Sequence, residues 1–317
     1  MRTSLKYKPS FMTPQNTAQL HQKLDAIEKA ARGSRAGRFL RDPLRYAAAI
    51  GYWRFIYPLR KRGCFAKART FFGTGMEVVL PSATEIFLFG AKTHDSEIRL
   101  TRFLMNHLHP GSIFADVGAH YGYFSLLASH LVGQAGRVFS FEASRSTFGV
   151  LKKNTALHAN ITPLHRAVTD NDTPLTFHEF PVLFSEYNSL LLPDATNSAW
   201  LKHNPPQRIQ VQGLRLDGYF LEKKEIPDLV KIDVEGAELQ VLRGMEALLT
   251  RRSPTLVMEY LTNSSQREAH REAVAFALHL GYAQYLIDKN GNLQPCAGIE
   301  AAMAAAGLDS DNIVLRR

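Results

Sequence analysis

The sequence predicts a doubly wound α/β domain, a mostly parallel sheet with helices on both faces, behind a helical N-terminal extension. Three observations predict it. Beyond Gly90 helical and strand-like periodicities alternate. The strands are short and apolar on successive residues, as strands buried on both faces are. Several of them run directly into glycine or carboxylate residues, where sheets of this kind bind ligands.

Taken in order, residues 1–18 show no periodicity and contain Pro9 and Pro14. From Gln19 a helix is predicted, with Leu20, Leu24, Ile27 and Ala31 on one face, broken by Gly33 and Gly37. Residues 39–72 form a basic, aromatic stretch predicted to be partly helical. Residues 76–80 and 85–89 read as two short strands joined by a Pro-Ser turn, a lead-in hairpin spanning 73–90. Asp95 or Ser96 caps a helix carrying Leu100, Phe103, Leu104 and Leu108, which stops at Pro110-Gly111.

Strands follow at 113–117, 137–141 and 161–168, with helices carrying Phe124 to Leu131 and spanning 146–159 between them. Residues 174–192 read as a hairpin and loop, and 208–214 alternates like a strand. A strand at 229–233 leads into a helix with Val241, Leu242, Met245, Leu248 and Leu249 at helical spacing. A strand at 255–260, a helix at 264–280 and strands at 283–287 and 312–315 complete the domain. The expected division is an extension, 1–72, and a domain, 73–317.

The net charge of +9 is unevenly spread. Residues 1–72 hold 16 Lys and Arg against 3 acidic residues, and the remainder holds 22 against 26. The basicity therefore belongs to the extension, where it suits an anionic partner, a helical cap, an oligomerisation element or acceptor recruitment. No run approaches the roughly 18 apolar residues of a membrane span, and no apolar stretch resembles a cleaved signal. Cys64 and Cys296 stand alone, without metal-ligand spacing or a disulfide framework, so a reducing, cytoplasmic setting is expected and no metal site.

Three strand ends carry chemistry. The first is Asp116-Val-Gly-Ala-His-Tyr-Gly122. Gly118 and Gly122 permit a tight turn and a close backbone approach. A dinucleotide fingerprint starting at Gly118 would need glycine where His120 and Tyr123 stand, so a ligand without phosphates suits the turn better. The second is Glu142, about 20 residues beyond the glycine turn, where a carboxylate can accept both hydroxyls of a ribose. The third is Asp233-Val-Glu235-Gly236. Two carboxylates so close at a strand's end are costly unless a ligand or partner uses them. A bare strand-to-helix turn and a solvated strand-end Glu are the uneventful alternatives.

These segments together resemble the FkbM family of methyltransferases. The resemblance is carried by DVGAHYGYFS (116–125), FSFEAS (139–144), Leu216-Asp217, KIDVEGAELQVLRG (231–244), MEY (258–260) and DNIVL (311–315). It spans residues 90–315 and leaves out the first 70 or so; His120 departs from the Asn common in such loops. It implies a Rossmann-like class I methyltransferase fold with a seven-stranded sheet. It further implies S-adenosylmethionine (SAM) as methyl donor and a hydroxyl acceptor on a sugar, glycan or natural product.

Under that resemblance Gly118, Ala119 and Gly122 approach the cofactor, Asp116 orients the loop or the methionine amino group, and Glu142 takes the ribose. Glu97 is a further cofactor candidate, or a helix N-terminal acid favoured by the macrodipole. Asp233 and Glu235 face the methyl-transfer crevice, either of them the base, with His120 a third candidate. Glu259 lines the acceptor side or serves structure. Two rivals stand beside this. A nucleic-acid or protein methyltransferase could be recruited through the basic extension, although Gln207 replaces the aromatic residue in His203-Asn-Pro-Pro-Gln207. A nicotinamide-dependent oxidoreductase is disfavoured by the missing middle glycine.

Overall fold

In a computed structural model of the chain, residues 14–190, 198–262 and 266–317 are described. Helix α1 (Pro14–Ala31) is followed by α2 (Arg35–Arg41), α3 (Pro43–Gly51), a π-helical turn at Tyr52–Ile56 and α4 (Tyr57–Arg60). Strands β1 (Cys64–Arg69) and β2 (Gly75–Leu80) precede α5 (Thr84–Phe89) and α6 (Asp95–His107). The alternating region then runs β3 (Ile113–Val117), α7 (Tyr123–Val132), β4 (Arg137–Glu142), α8 (Arg145–Thr155) and β5 (Ile161–His165). A side excursion holds β6 (Ala167–Val168), β7 (Pro174–Glu179), a 3-10 turn at Val182–Tyr187, α9 (Ser198–His203) and β8 (Gln207–Leu214). After α10 (Leu216–Lys223) come β9 (Leu229–Ile232), α11 (Glu238–Arg243), α12 (Glu246–Arg251), β10 (Thr255–Leu261) and α13 (Arg267–His279). The chain closes with β11 (Ala283–Ile287), β12 (Leu293–Pro295), α14 (Ile299–Ala305) and β13 (Ser310–Arg316).

The main sheet has the order β12-β11-β13-β10-β9-β3-β4-β5. The run from β10 to β5 is parallel and β13 is antiparallel to both its neighbours. It has eight strands, one more than expected, because short β12 adds to the outer edge of β11. From central β3 the chain moves outward through β4 to β5, then returns to β9 on the other side. The switch in direction therefore lies between β3 and β9, where a doubly wound sheet opens a crevice at its carboxyl ends.

Alternate side chains feed two cores, as a pleated strand requires. Phe114 and Val138 pack on one face with α6 and α7, while Ala115, Val117, Phe139 and Phe141 pack on the other with α10 and α11. Leu20, Leu24 and Ile27 of α1 join the first core, so the predicted apolar face of that helix docks on the domain. Arg102 of α6 secures it, its Nη2 lying 2.6 Å from both Asp25 and Glu28.

Four expectations need correction. Residues 85–89 are helical, and the hairpin partner of β2 is β1, in register from Cys64 opposite Leu80 to Arg69 opposite Gly75. A short apolar run is ambiguous between helix and strand, and Lys67 and Arg69 disguised β1 as part of the basic stretch. The pairing thus crosses the expected boundary at 72/73. The strand expected at 161–168 divides at Arg166, β5 joining the main sheet and β6 pairing with β8 in a three-stranded side sheet, β6-β8-β7. The single helix expected after 229–233 breaks into α11 and α12. In the loop expected at 174–192, β7 pairs antiparallel with β8 and an isolated bridge joins His178 to Ser189; residues 191 and 192 lie outside the described residues.

Candidate active site

A cavity of about 350 Å³ opens at the carboxyl ends of β3, β4, β9 and β10. Gly118 sits at its base with φ +78°, and a Cβ there would stand 1.8 Å from the Asp233 carbonyl oxygen. Glycine is thus required because the loop after β3 presses on the chain leaving β9. The N–H groups of Gly118 and Ala119 both donate to the Phe141 carbonyl, at 3.0 and 2.9 Å. The loop is held by the sheet before any ligand arrives. Gly122, at φ +87°, would direct a Cβ to within 2.7 Å of Leu151 in α8. Gly118 lines the cavity; Ala119 and Gly122 do not. At Gly122 the close neighbour is the chain itself, so glycine there also serves packing.

Glu142 lies on the cavity wall at the end of β4. Its Oε2 accepts from the His120 backbone N–H and its Oε1 from that of Ser144, each at 2.8 Å. Burial nevertheless pushes its carboxyl up to about 7. Asp116 is fully buried below the cavity and outside its lining. Its Oδ2 accepts a 2.6 Å bond from Ser125 and its Oδ1 lies 3.5 Å from the Lys231 ammonium. Of its two anticipated roles, this position suits orienting the loop.

Lys231 is the residue that sequence reasoning passed over. A lysine 3% exposed in the apolar strand β9 is itself a signal, since lysine is almost never fully buried unpaired. Its Nζ donates to Asp233 Oδ2 at 3.0 Å and links that carboxylate to Asp116. Burial alone would raise Asp233, yet Lys231 and Lys92 hold it below the ordinary aspartate value. Asp233 is therefore an anion here.

Glu235 and Glu259 differ. Burial, then the charges of Asp233 and Glu259, push Glu235 well above the ordinary glutamate value, and its Oε2 accepts a 3.3 Å bond from Gln266. Burial and Asp233 push Glu259 up to about 8. The carboxylates of Asp233, Glu235 and Glu259 lie within 4.8 Å of one another. No metal motif was legible in the sequence, but the parallel pairing of β9 with β10 assembles three carboxylates whose oxygens are a donor set of the kind hard divalent cations take. His120, with φ +50°, lines the cavity and its Nε2 lies 3.1 Å from the Ser185 hydroxyl. Burial and then Lys92 lower it to about 3, which leaves it neutral and a weak base. Glu97 also lines the cavity, hydrogen-bonded by Lys92. Asn188 and Ser189 are engaged within the chain: Asn188 accepts from the Phe180 N–H and Ser189 donates to the Glu235 carbonyl. The His203–Gln207 loop is not part of the lining.

Six carboxylates (Glu85, Glu97, Glu142, Asp233, Glu235 and Glu259) face Lys92, Arg166 and Lys231. Asp233, held ionised, offers a cationic sulfonium or ammonium a counter-charge on that wall.

The same groups set a pH dependence. A carboxyl raised in the folded chain stabilises it at low pH, and that contribution is lost as pH climbs through the folded value. The buried histidines, His120 among them, act oppositely but are already neutral above about pH 6.5. Between there and pH 8 the ligand-free protein should lose stability as Glu142 and Glu259 ionise. Urea midpoints that rise with pH across this window would show that these carboxyls are not held protonated.

The family model described as the methyltransferase FkbM domain matches residues 116–283, more than half of the chain. The chain belongs to the FkbM methyltransferase family. The match begins at Asp116 and covers every site residue anticipated from the sequence except Glu97. FkbM methyltransferases take their methyl group from SAM, and the acid-rich cavity with a carboxylate at the end of β4 fits that donor. No curated protein matches the chain.

Several solved methyltransferase structures are distantly similar to the chain. A methyltransferase FkbM from Methylobacillus flagellatus KT is 12% identical with a TM-score of 0.40, the match covering 74% of this chain and 66% of that one. Aeropyrum pernix fibrillarin, solved with natively bound SAM, is 13% identical with a TM-score of 0.36, over 66% of each chain. An O-methyltransferase from Bacillus cereus in complex with SAH is 10% identical with a TM-score of 0.39, over 69% of this chain and 80% of that one. The chain thus spans just under two thirds of the first two proteins' length. At these similarities the family rests on the family-model match alone.

Proposed function

We propose that this FkbM methyltransferase transfers the methyl group of SAM to a hydroxyl oxygen on a sugar, glycan or natural-product acceptor. The observation that carries this reading is the juxtaposition, in one acid-lined cavity, of Glu142 with the Asp233, Glu235 and Glu259 cluster. Glu142 accepts the ribose hydroxyls, and the anionic Asp233 faces the positively charged half of the donor. Bound SAM supplies an activated methyl on a sulfonium leaving group, so the protein's main task is alignment. Displacement at that carbon forms an oxygen–carbon bond, breaks the sulfur–carbon bond and releases the hydroxyl proton. Glu235 or Glu259, each with its proton affinity raised by burial, accepts that proton in its ionised form. His120, held neutral and weakly basic, shapes the wall.

Calorimetry with SAM and with S-adenosylhomocysteine tests donor binding, and a SAM-consumption screen over glycans, lipids and hydroxylated natural products tests the acceptor. Glu142→Ala should weaken SAM binding by about 10- to 100-fold, the loss of one or two charge-assisted bonds. Affinity in the parent protein should also fall as pH drops below about 7, where the Glu142 carboxyl takes up its proton. A folded Glu142→Ala chain binding SAM at parental affinity removes the ribose assignment, and no SAM binding by the parent removes the whole reading.

A further inference from the structure

Ten large apolar side chains are exposed among the described residues, and eight of them fall between Phe39 and Phe65. They are Phe39, Leu40, Leu44, Trp53, Phe55, Ile56, Leu59 and Phe65. Leu44 and Leu59 are 85% and 86% exposed, values that leave almost the whole side chain in water. Helix α3 turns Leu44, Ala47 and Ala48 outward at helical spacing and buries Ala49. Its solvent face is therefore apolar, the reverse of a surface helix in a globular protein.

The same stretch is strongly basic. Residues 35–67 contain nine Lys and Arg and one acidic residue, Asp42, which pairs with Arg45 at 3.7 Å. The segment is anchored on the domain: Arg45 donates to the Phe87 carbonyl and sits 5.0 Å from the Phe87 ring, Arg41 lies over Phe89, and Tyr57 is buried. Contiguous exposed apolar surface on a folded chain marks an interaction site.

We propose that α2, α3, the π-helical turn and α4 form a docking surface for an anionic lipid bilayer, seated in the interface without crossing it. Among the described residues no helix is long and apolar enough to cross a membrane. Protruding Leu and Phe set among Lys and Arg, with Trp53 half exposed, is the chemistry of an interfacial helix on acidic headgroups. A second copy of this surface is a poor partner, because two copies of residues 35–67, each with eight excess positive charges, repel. A nucleic acid would use the cations and leave Leu40, Leu44 and Leu59 in water. An anionic bilayer satisfies both halves.

The experiment is co-sedimentation of the full chain with vesicles of phosphatidylcholine alone and of equal parts phosphatidylcholine and phosphatidylglycerol. The expected result is partition to the mixed vesicles, weakened by salt. Arg54→Glu, Arg60→Glu and Arg62→Glu combined should weaken partition by about tenfold or more. Leu44→Ser, Phe55→Ser and Leu59→Ser combined should abolish the binding that survives high salt. These six side chains are exposed, and unchanged melting temperature together with parental SAM binding establishes that the variants are folded. Parent protein that stays in the supernatant with both vesicles overturns the proposal. So do vesicle binding that neither variant changes, salt-sensitive binding to RNA without partition to vesicles, and concentration-dependent dimers that mask these residues. None of these readouts depends on methyl transfer.

Discussion

Glu235→Gln is expected to lower kcat by about a hundred- to ten-thousandfold while SAM affinity stays within about threefold. Glu235 stands in a chain conformation that few non-glycine residues adopt, with φ +56°, and its neighbour Gly236 has φ +96°. That turn brings the side chain back beside Asp233 and Glu259. Burial and two neighbouring carboxylates make its ionised form expensive, so it holds a proton more tightly than an exposed glutamate. The amide of Gln keeps the shape and hydrogen-bonding capacity toward Gln266 and removes the proton acceptor. Glu259→Gln is the companion variant, and whichever of the two loses more kcat is the base. Asp233→Asn should differ in kind, losing SAM affinity as well as turnover, because Asp233 is the ionised member that faces the cationic donor and pairs with Lys231. Asp233→Asn and Glu235→Gln proteins with parental kcat and parental SAM affinity would remove both roles.

Lys231→Met is expected to destabilise the fold by about 3–5 kcal/mol, the usual cost of stripping one partner from a buried ion pair. Lys231 is the one cation within 4 Å of either Asp116 or Asp233 among the described residues. Its removal leaves a fully buried carboxylate beneath the sheet's carboxyl edge with Ser125 as its hydrogen-bond donor. Methionine fits the volume of the alkyl stem and its neighbour Phe124, so the loss reports charge more than packing. Urea unfolding at an unchanged m-value gives the number. Adding Asp116→Asn to Lys231→Met should recover part of it, since the orphaned charge is then gone. A loss below about 1 kcal/mol would mean that Asp116 is satisfied without the lysine, and the ionic link between the loop after β3 and the chain leaving β9 would fall with it.

Much of the site was legible because strand ends are local features. A short apolar run that stops at Gly118, Glu142 or Asp233 announces both the strand and the chemistry at its end. What was not legible depends on pairings between distant segments. Gly118 was read as room for a ligand, but the atom nearest to its missing Cβ belongs to Asp233, more than a hundred residues away. Glu259 was read as lining the acceptor side or serving structure, and the parallel register of β10 on β9 places it beside Asp233 and Glu235. Lys231 passed unnoticed because no local pattern says that two aspartates wait for it. The lead-in hairpin failed for a related cause: four apolar residues in a row fit either period, and the partner strand was disguised by its charges.

The sequence by itself determined the alternation of β and α, the switch-point crevice that alternation implies, and which chemically active residues stand at its mouth. It could do so because periodicity, glycine turns and strand termini are written in neighbouring residues. The tertiary structure alone decided which carboxylates are ionised, which glycines serve packing, and that the basic helices turn their apolar side chains outward. Those outcomes depend on burial and on charges brought close by strand register, and neither has any value until distant parts of the chain meet.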